Sequence, residues 1–223
     1  HPVDRAFSAV VLGWQIPRAI PEALVEGFAW DAAGRRYETI GDVQGYAARV
    51  AGTVGVMMTL LMGRRDPVTL ARACDLGVAM QLTNIARDVA EDFRMGRIYL
   101  PLEWLEEKGI DPAKMTDPRF REPLFDCVRR LLVAAEEHYR SGNEGLRHLP
   151  LRAAIAVAVA SEVYARIGRK LLSQGPAGLD RRTIVGKGEK FLAAAKGITR
   201  ALSTLPGRLI SPWKRCEIRT AWR

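Results

Sequence analysis

Gln81-Leu-Thr-Asn-Ile-Ala-Arg-Asp-Val-Ala-Glu-Asp92, followed closely by Gly96-Arg-Ile-Tyr-Leu-Pro101, alternates polar and apolar residues with the period of an α-helix. At 3.6 residues per turn, Gln81, Asn84, Asp88 and Asp92 fall at roughly 0°, 300°, 340° and 20° on the helical wheel. They make one narrow stripe of amide and carboxylate oxygens about 16 Å long. Val78, Leu82, Ile85, Val89 and Phe93 fill another arc and can anchor the helix in a core. The stripe suits a hard divalent cation. Magnesium takes one or two carboxylates and leaves its other octahedral positions to water and phosphate oxygens.

An isolated D-x-x-x-D pair is ordinarily a solvated helix face. Two features weigh against that here. Like charges at i, i+4 destabilise a helix by roughly 0.2–0.5 kcal/mol. Gly96 is placed to end the helix, so both acids also oppose the macrodipole. Arg87 and Arg94 offset part of this cost, but a cation between the carboxylates gives the arrangement a reason.

Working outward, the pattern stays helical. A short helix is expected from Pro21 to about Trp30, with proline in its first turn. Thr39 and Asp42 introduce a long helix to about Met62, and Asp66-Pro67 caps and starts the helix that carries the stripe. Further helices are expected over Leu102–Lys108, about Arg119–Arg140, Leu151–Ser173 and Arg182–Leu202. With no sustained period-two alternation and no internal repeat, the chain reads as an all-α bundle. A single domain over 1–203 and a loosely ordered basic tail over 204–223 are expected. Gly52 and Gly55 lie inside the 42–62 helix, where each costs about 1 kcal/mol relative to alanine. Close helix packing explains them; so does room left for a long apolar ligand.

Composition narrows the classes. Of the 223 residues, 48% are hydrophobic and 26% charged, as in a soluble globular chain. The longest apolar run, Ala153–Ala160, is far short of the ~20 residues needed to span a bilayer. Cys74, Cys127 and Cys216 are dispersed and odd in number, which fits a reducing cytoplasm without a disulfide framework. No His/Cys cluster points to zinc. From Tyr164 onward, 14 Lys and Arg face 3 Asp and Glu, within a chain of net charge +9. A solvated basic face accounts for this; attraction to the inner face of an anionic membrane is the next reading. Without interleaved aromatics or a binding motif, nucleic acid is not an expected partner.

Tyr46-Ala-Ala-Arg-Val-Ala-Gly-Thr-Val-Gly55, Leu76-Gly77, the Gln81–Asp92 stripe and Gly96–Pro101 together resemble the squalene/phytoene synthase family, with bacterial phytoene synthases as the nearer branch. The likeness is dense from about Arg36 to Trp104 and thinner to about Leu192. It implies an isoprenoid synthase-like helical bundle with a central cavity. It also implies head-to-head condensation of two geranylgeranyl diphosphates, through prephytoene diphosphate, to phytoene in carotenoid biosynthesis. By residue matching, Asn84, Asp88 and Asp92 would ligate magnesium, or manganese in its place. Gln81 and Arg87 would contact diphosphate or its metal shell. Tyr46 would lie beside the reacting carbons, and Gly52 and Gly55 would shape the chain-binding cavity.

Two departures accompany the resemblance. Family members carry a first aspartate-rich motif upstream of the Tyr46 helix, and no D-x-x-x-D precedes Tyr46 here. The chain is therefore expected to begin after that motif and to have little activity alone. Gly178-Leu179 also stands where members often place a tyrosine, so no role is carried over there; Lys187 and Lys190 nearby read as solvated. Two alternatives remain. One is a squalene or dehydrosqualene synthase using farnesyl diphosphate, with Met57 or Met58 setting cavity depth. The other is a non-catalytic helical adaptor with a basic membrane- or partner-binding tail, which leaves the stripe unexplained.

Overall fold

The chain folds, in the computed structural model, around one 28-residue helix whose two ends are both written in the sequence. The structure describes residues 1–205, so the expected basic tail lies outside the described residues from 206 onward. In chain order the helices are α1 (Pro2–Gly13), α2 (Ala19–Ala32), α3 (Ile40–Ala47), a π-helical segment (Ala48–Gly52) and α4 (Thr53–Leu61). Then come α5 (Pro67–Arg94), α6 (Leu102–Glu107), α7 (Arg121–Glu144), α8 (Leu151–Gln174) and α9 (Lys187–Ser203). No strand occurs among the described residues, in accord with the all-α reading.

Helix α5 begins where Asp66 accepts the Thr69 amide at 2.9 Å and Pro67 supplies a preset φ. It ends at Gly96, whose φ of +78° favours glycine, while the Arg97 amide donates to the Asp92 carbonyl. Leu82, Ile85, Ala86 and Val89 of α5 share one core with Leu124, Val128 and Leu131 of α7. Each such leucine or isoleucine contributes about 1.5–3 kcal/mol by leaving water. Helix α5 also packs on α4, α8 and the π-helical segment, and α9 lies along α8. A cavity of about 250 Å³ lies between α5, α7 and α8. It is lined by Thr83, Tyr139 and Gly168, not by the oxygen stripe.

Backbone approaches backbone at one level of the bundle. A Cβ on Gly77 would stand 2.5 Å from the Ala51 carbonyl oxygen and 2.7 Å from Gly52 Cα. On the other side, a Cβ on Gly142 of α7 would stand 2.9 Å from the Leu76 amide nitrogen. The π-helical segment, α5 and α7 are thereby held closer than any side chain would permit.

Three elements differ from the sequence expectation. The first helix is α1, in which Pro2 follows a His1 cap that accepts the Val3 amide. The helix expected from Thr39 to Met62 starts with the Thr39/Asp42 capping box but is interrupted by the π-helical segment. The last helix starts at Lys187 instead of Arg182. Thr183 and Val185 are buried in the preceding loop, and the Gly186 amide donates to Glu189 Oε2 at 2.9 Å.

Helix α9 is pinned to α8 by Glu162, only 2% exposed, which meets Arg169 (3.1 Å), Lys196 (3.1 Å) and Arg200 (2.6 Å). Burial alone would raise its carboxyl; hydrogen bonds from Lys196 and Arg200 outweigh that and hold it below its ordinary value. A depressed carboxyl contributes stability above its unfolded pKa, near 4.5, that is lost as pH falls through its lower folded value. We expect Glu162→Gln to lower stability at pH 7 by about 1–3 kcal/mol, allowing for the partial exposure of its cations. Urea unfolding checks this. A variant as stable as the parent at neutral pH, or equally sensitive to acid, would refute the assignment.

Candidate functional site

The C-terminal half of α5 presents Gln81, Asn84, Asp88 and Asp92 on the side away from its buried leucines. Asn84 Nδ2 donates to Gln81 Oε1 at 3.4 Å, leaving Asn84 Oδ1 buried with no hydrogen-bond partner among the described residues. An acceptor in that state loses hydration without compensation. Asp88 is held at both oxygens. Arg87 donates Nε to Oδ1 at 2.8 Å and Nη2 to Oδ2, and Arg182 reaches Oδ1 with Nε at 3.0 Å. Arg87 and Asp88 are only 14% and 15% exposed, so this pair is shielded from solvent screening.

Asp92, one turn beyond, is in the opposite condition. Burial, reinforced by the charges of Asp88, Glu91 and Asp31, pushes its carboxyl up to about 6 against the pull of Arg97. The stripe therefore holds an orphaned amide oxygen and a carboxylate short of positive charge. A hard cation would relieve both, so these residues fit magnesium. Among the described residues, no three His, Cys, Asp or Glu side chains converge to cage a metal unaided.

The structure also holds a group that sequence reasoning did not find. Asp31, in the last turn of α2, accepts Tyr46 Oη at 2.9 Å on one oxygen and Tyr99 Oη at 2.8 Å on the other. The rings of Tyr46 and Tyr99 stack at 5.1 Å with 20° between planes, and Tyr37 lies 5.2 Å from Tyr46. Tyr46 is buried, and chiefly that burial raises its phenol. Tyr99 is likewise pushed up, to about 12, chiefly by burial. The loop carrying Tyr99 is fixed by main-chain bonds from Leu102 to Tyr37 and from Glu103 to Glu38.

Of the residues singled out from sequence, Gln81, Asn84, Arg87, Asp88 and Asp92 lie together on α5, and Tyr46 is hydrogen-bonded to Asp31 of α2. Gly52 and Gly55 stand at the closest approach to α5. Their Cβ atoms would fall 2.6 Å from Cys74 Sγ and 2.5 Å from the Ala73 carbonyl oxygen. That geometry favours the close-packing account of both glycines. They can shape a cavity only by setting how near the helices stand. Met57 is buried beside Leu60, whereas Met58 is 51% exposed. Lys187 and Lys190 are exposed, as expected. Arg182 was missed as a site residue because it reads as the start of a helix. Asp31 had one signal: an acid in the last turn of a helix, the same cue that drew attention to Asp88 and Asp92.

Comparison with known proteins bears on the family to which the chain belongs. The profile for squalene/phytoene synthase matches residues 1–189. The chain is 47% identical over 204 residues to a phytoene synthase of Rhodobacter capsulatus, covering 91% of this chain and 60% of that protein. It is 43% identical to a 15-cis-phytoene synthase of Enterobacter agglomerans, covering 96% of this chain and 74% of that one. A crystal structure of a dehydrosqualene synthase in complex with ligand superposes with a TM-score of 0.81 at 29% identity, covering 91% of this chain and 72% of that one. The chain thus spans less than two thirds of the R. capsulatus relative's length. With the profile covering most of its residues and the helical architecture shared, this chain belongs to the squalene/phytoene synthase family.

Proposed function

We propose that the protein is a magnesium-dependent prenyltransferase that joins two geranylgeranyl diphosphates head to head, giving phytoene through prephytoene diphosphate. The observation that carries the metal–diphosphate part is the pairing of an orphaned Asn84 Oδ1 with an under-compensated Asp92 along one stripe. The choice of the C20 substrate rests on the likeness to phytoene synthases.

Asn84, Asp88 and Asp92 would hold the cation. Magnesium, when bound, acts as a Lewis acid on the oxygens of the departing diphosphate. Arg87 and Arg182 already converge on Asp88 and can share their remaining N–H groups with those oxygens. Gln81 steadies Asn84 from the preceding turn. The allylic cation left behind needs a wall that does not attack it and excludes water. The faces of Tyr46 and Tyr99 supply electron density for it, a contribution of about 0.5–2 kcal/mol per ring. No nucleophilic side chain is required. On this reading Asp88 and Asp92 hold metal and do not act as general bases.

The likeness to a dehydrosqualene synthase favours a second reading, condensation of two C15 farnesyl diphosphates. Side-by-side turnover of both diphosphates by the intact protein, with and without magnesium, separates the two. We expect a C40 product from geranylgeranyl diphosphate, lost on chelation of the metal. Preference for farnesyl diphosphate would overturn the C20 assignment, and turnover of neither would overturn the function.

A further inference from the structure

Asp31 has both oxygens committed to phenols from two other parts of the chain, one at the end of α3 and one in the loop before α6. A carboxylate only accepts, so the hydroxyl hydrogens of Tyr46 and Tyr99 both point at Asp31. Their oxygen lone pairs, and the ring surfaces not already stacked on one another or on Tyr37, are what remain for other neighbours. The two rings are also fixed nearly parallel by this shared anchor. Tyr37, 1% exposed, packs on both rings, and its Oη has no hydrogen-bond partner among the described residues. The Arg97 amide donates to the Asp92 carbonyl at 2.9 Å, two residues before Tyr99, which places the aromatic group near the end of the oxygen stripe.

We propose that Asp31 is a positioning residue for the condensation, fixing Tyr46 and Tyr99 so that their electron-rich surfaces are turned toward the developing carbocation. This rests on the function proposed above. Asp31 touches neither metal nor substrate in this role; it acts through the two phenols. A preorganised wall of this kind lowers the barrier without strengthening ground-state binding, because the positive charge exists only after diphosphate departs. The expected signature is a loss in kcat with KM little changed.

Asp31→Asn keeps the shape, but its amide can accept from only one phenol and turns N–H groups to the other. In the intact protein it should lower kcat about 30-fold or more, with KM for the prenyl diphosphate within about threefold. Tyr99→Phe keeps the stacked ring and removes one of the two bonds; it should lower kcat by a smaller factor, again at near-constant KM. It also carries the test if Asp31→Asn proves unfolded by circular dichroism. A rise in KM at unchanged kcat would overturn the proposal, placing Asp31 in ground-state binding. Parental kinetics in both variants would overturn it as well. The phenolic carbon resonances of Tyr46 and Tyr99 give an independent readout. Both should move in Asp31→Asn, and unmoved signals would overturn the proposed hold. If the parent turns over no prenyl diphosphate, the functional reading is what has failed, and the resonances still decide whether Asp31 orders the two rings.

Discussion

Replacing Asp88 and Asp92 together with Asn in the intact protein is expected to reduce turnover of prenyl diphosphate by more than about 10³-fold. Removing one electrostatic contact to a departing oxyanion typically costs 10²–10³ in rate. Here both anionic ligands of the proposed metal would go at once. Synthase activity within a few-fold of the parent would end the metal assignment.

The single substitutions should then part company in stability. A carboxyl raised to about 6 in the fold, against about 3.8 free, destabilises the metal-free protein above pH 6, and the penalty is relieved as pH falls through that value. Asp92→Asn removes the penalty and should stabilise the metal-free protein by about 1–3 kcal/mol at pH 7. Asp88→Asn should give no such gain, because it leaves Arg87 and Arg182 facing an amide. Thermal unfolding in the presence of a chelator checks both. Equal shifts in the two variants would contradict the difference in their surroundings.

The second large effect is structural. Gly77→Ala should destabilise the fold by about 2–4 kcal/mol, even after the roughly 1 kcal/mol that alanine gains in helix propensity. The atoms its methyl would meet, the Ala51 carbonyl and Gly52 Cα, are main chain and have no rotamer to escape into. Either α5 or the π-helical segment must move, and α7 stands on the far side of α5 with its own contact through Gly142. Gly188→Ala on α9 makes the control, since nothing lies within 4 Å of its Cβ. It should be neutral or stabilising by up to about 1 kcal/mol. Urea unfolding of both variants tests the contrast, and equal stabilities would show that the bundle can yield at this crossing.

What the sequence disclosed was what is encoded locally. Asp66-Pro67 and Gly96 bound α5 because caps and a left-handed terminus act within one turn. The Thr39/Asp42 box marks the start of α3 for the same reason. The stripe from Gln81 to Asp92 was visible because helical period alone puts those oxygens on one side. Asp31 and Arg182 were not legible, since each gains its meaning from a partner 15 to 94 residues away. The start of α9 was missed because burial of Thr183 and Val185 overrides the helical pattern around them. The condition of Asp92 also depends on neighbours from α2 and the loop after α5, which no wheel displays.

The π-helical segment between Tyr46 and Gly55 sets a limit on how this stretch can vary. Tyr46 is aimed at α2, while Gly52 and Gly55 are aimed at α5, and both directions depend on the wider turn between them. Adding or deleting one residue there would swing the tyrosine about 100° relative to the glycines. The capping box at one end and the buried Met57 and Leu60 at the other leave no slack to absorb the swing. Descendants of this sequence can therefore exchange an exposed side chain such as Val54, but a change in the length of the stretch from 46 to 55 would uncouple the phenol from the helix crossing.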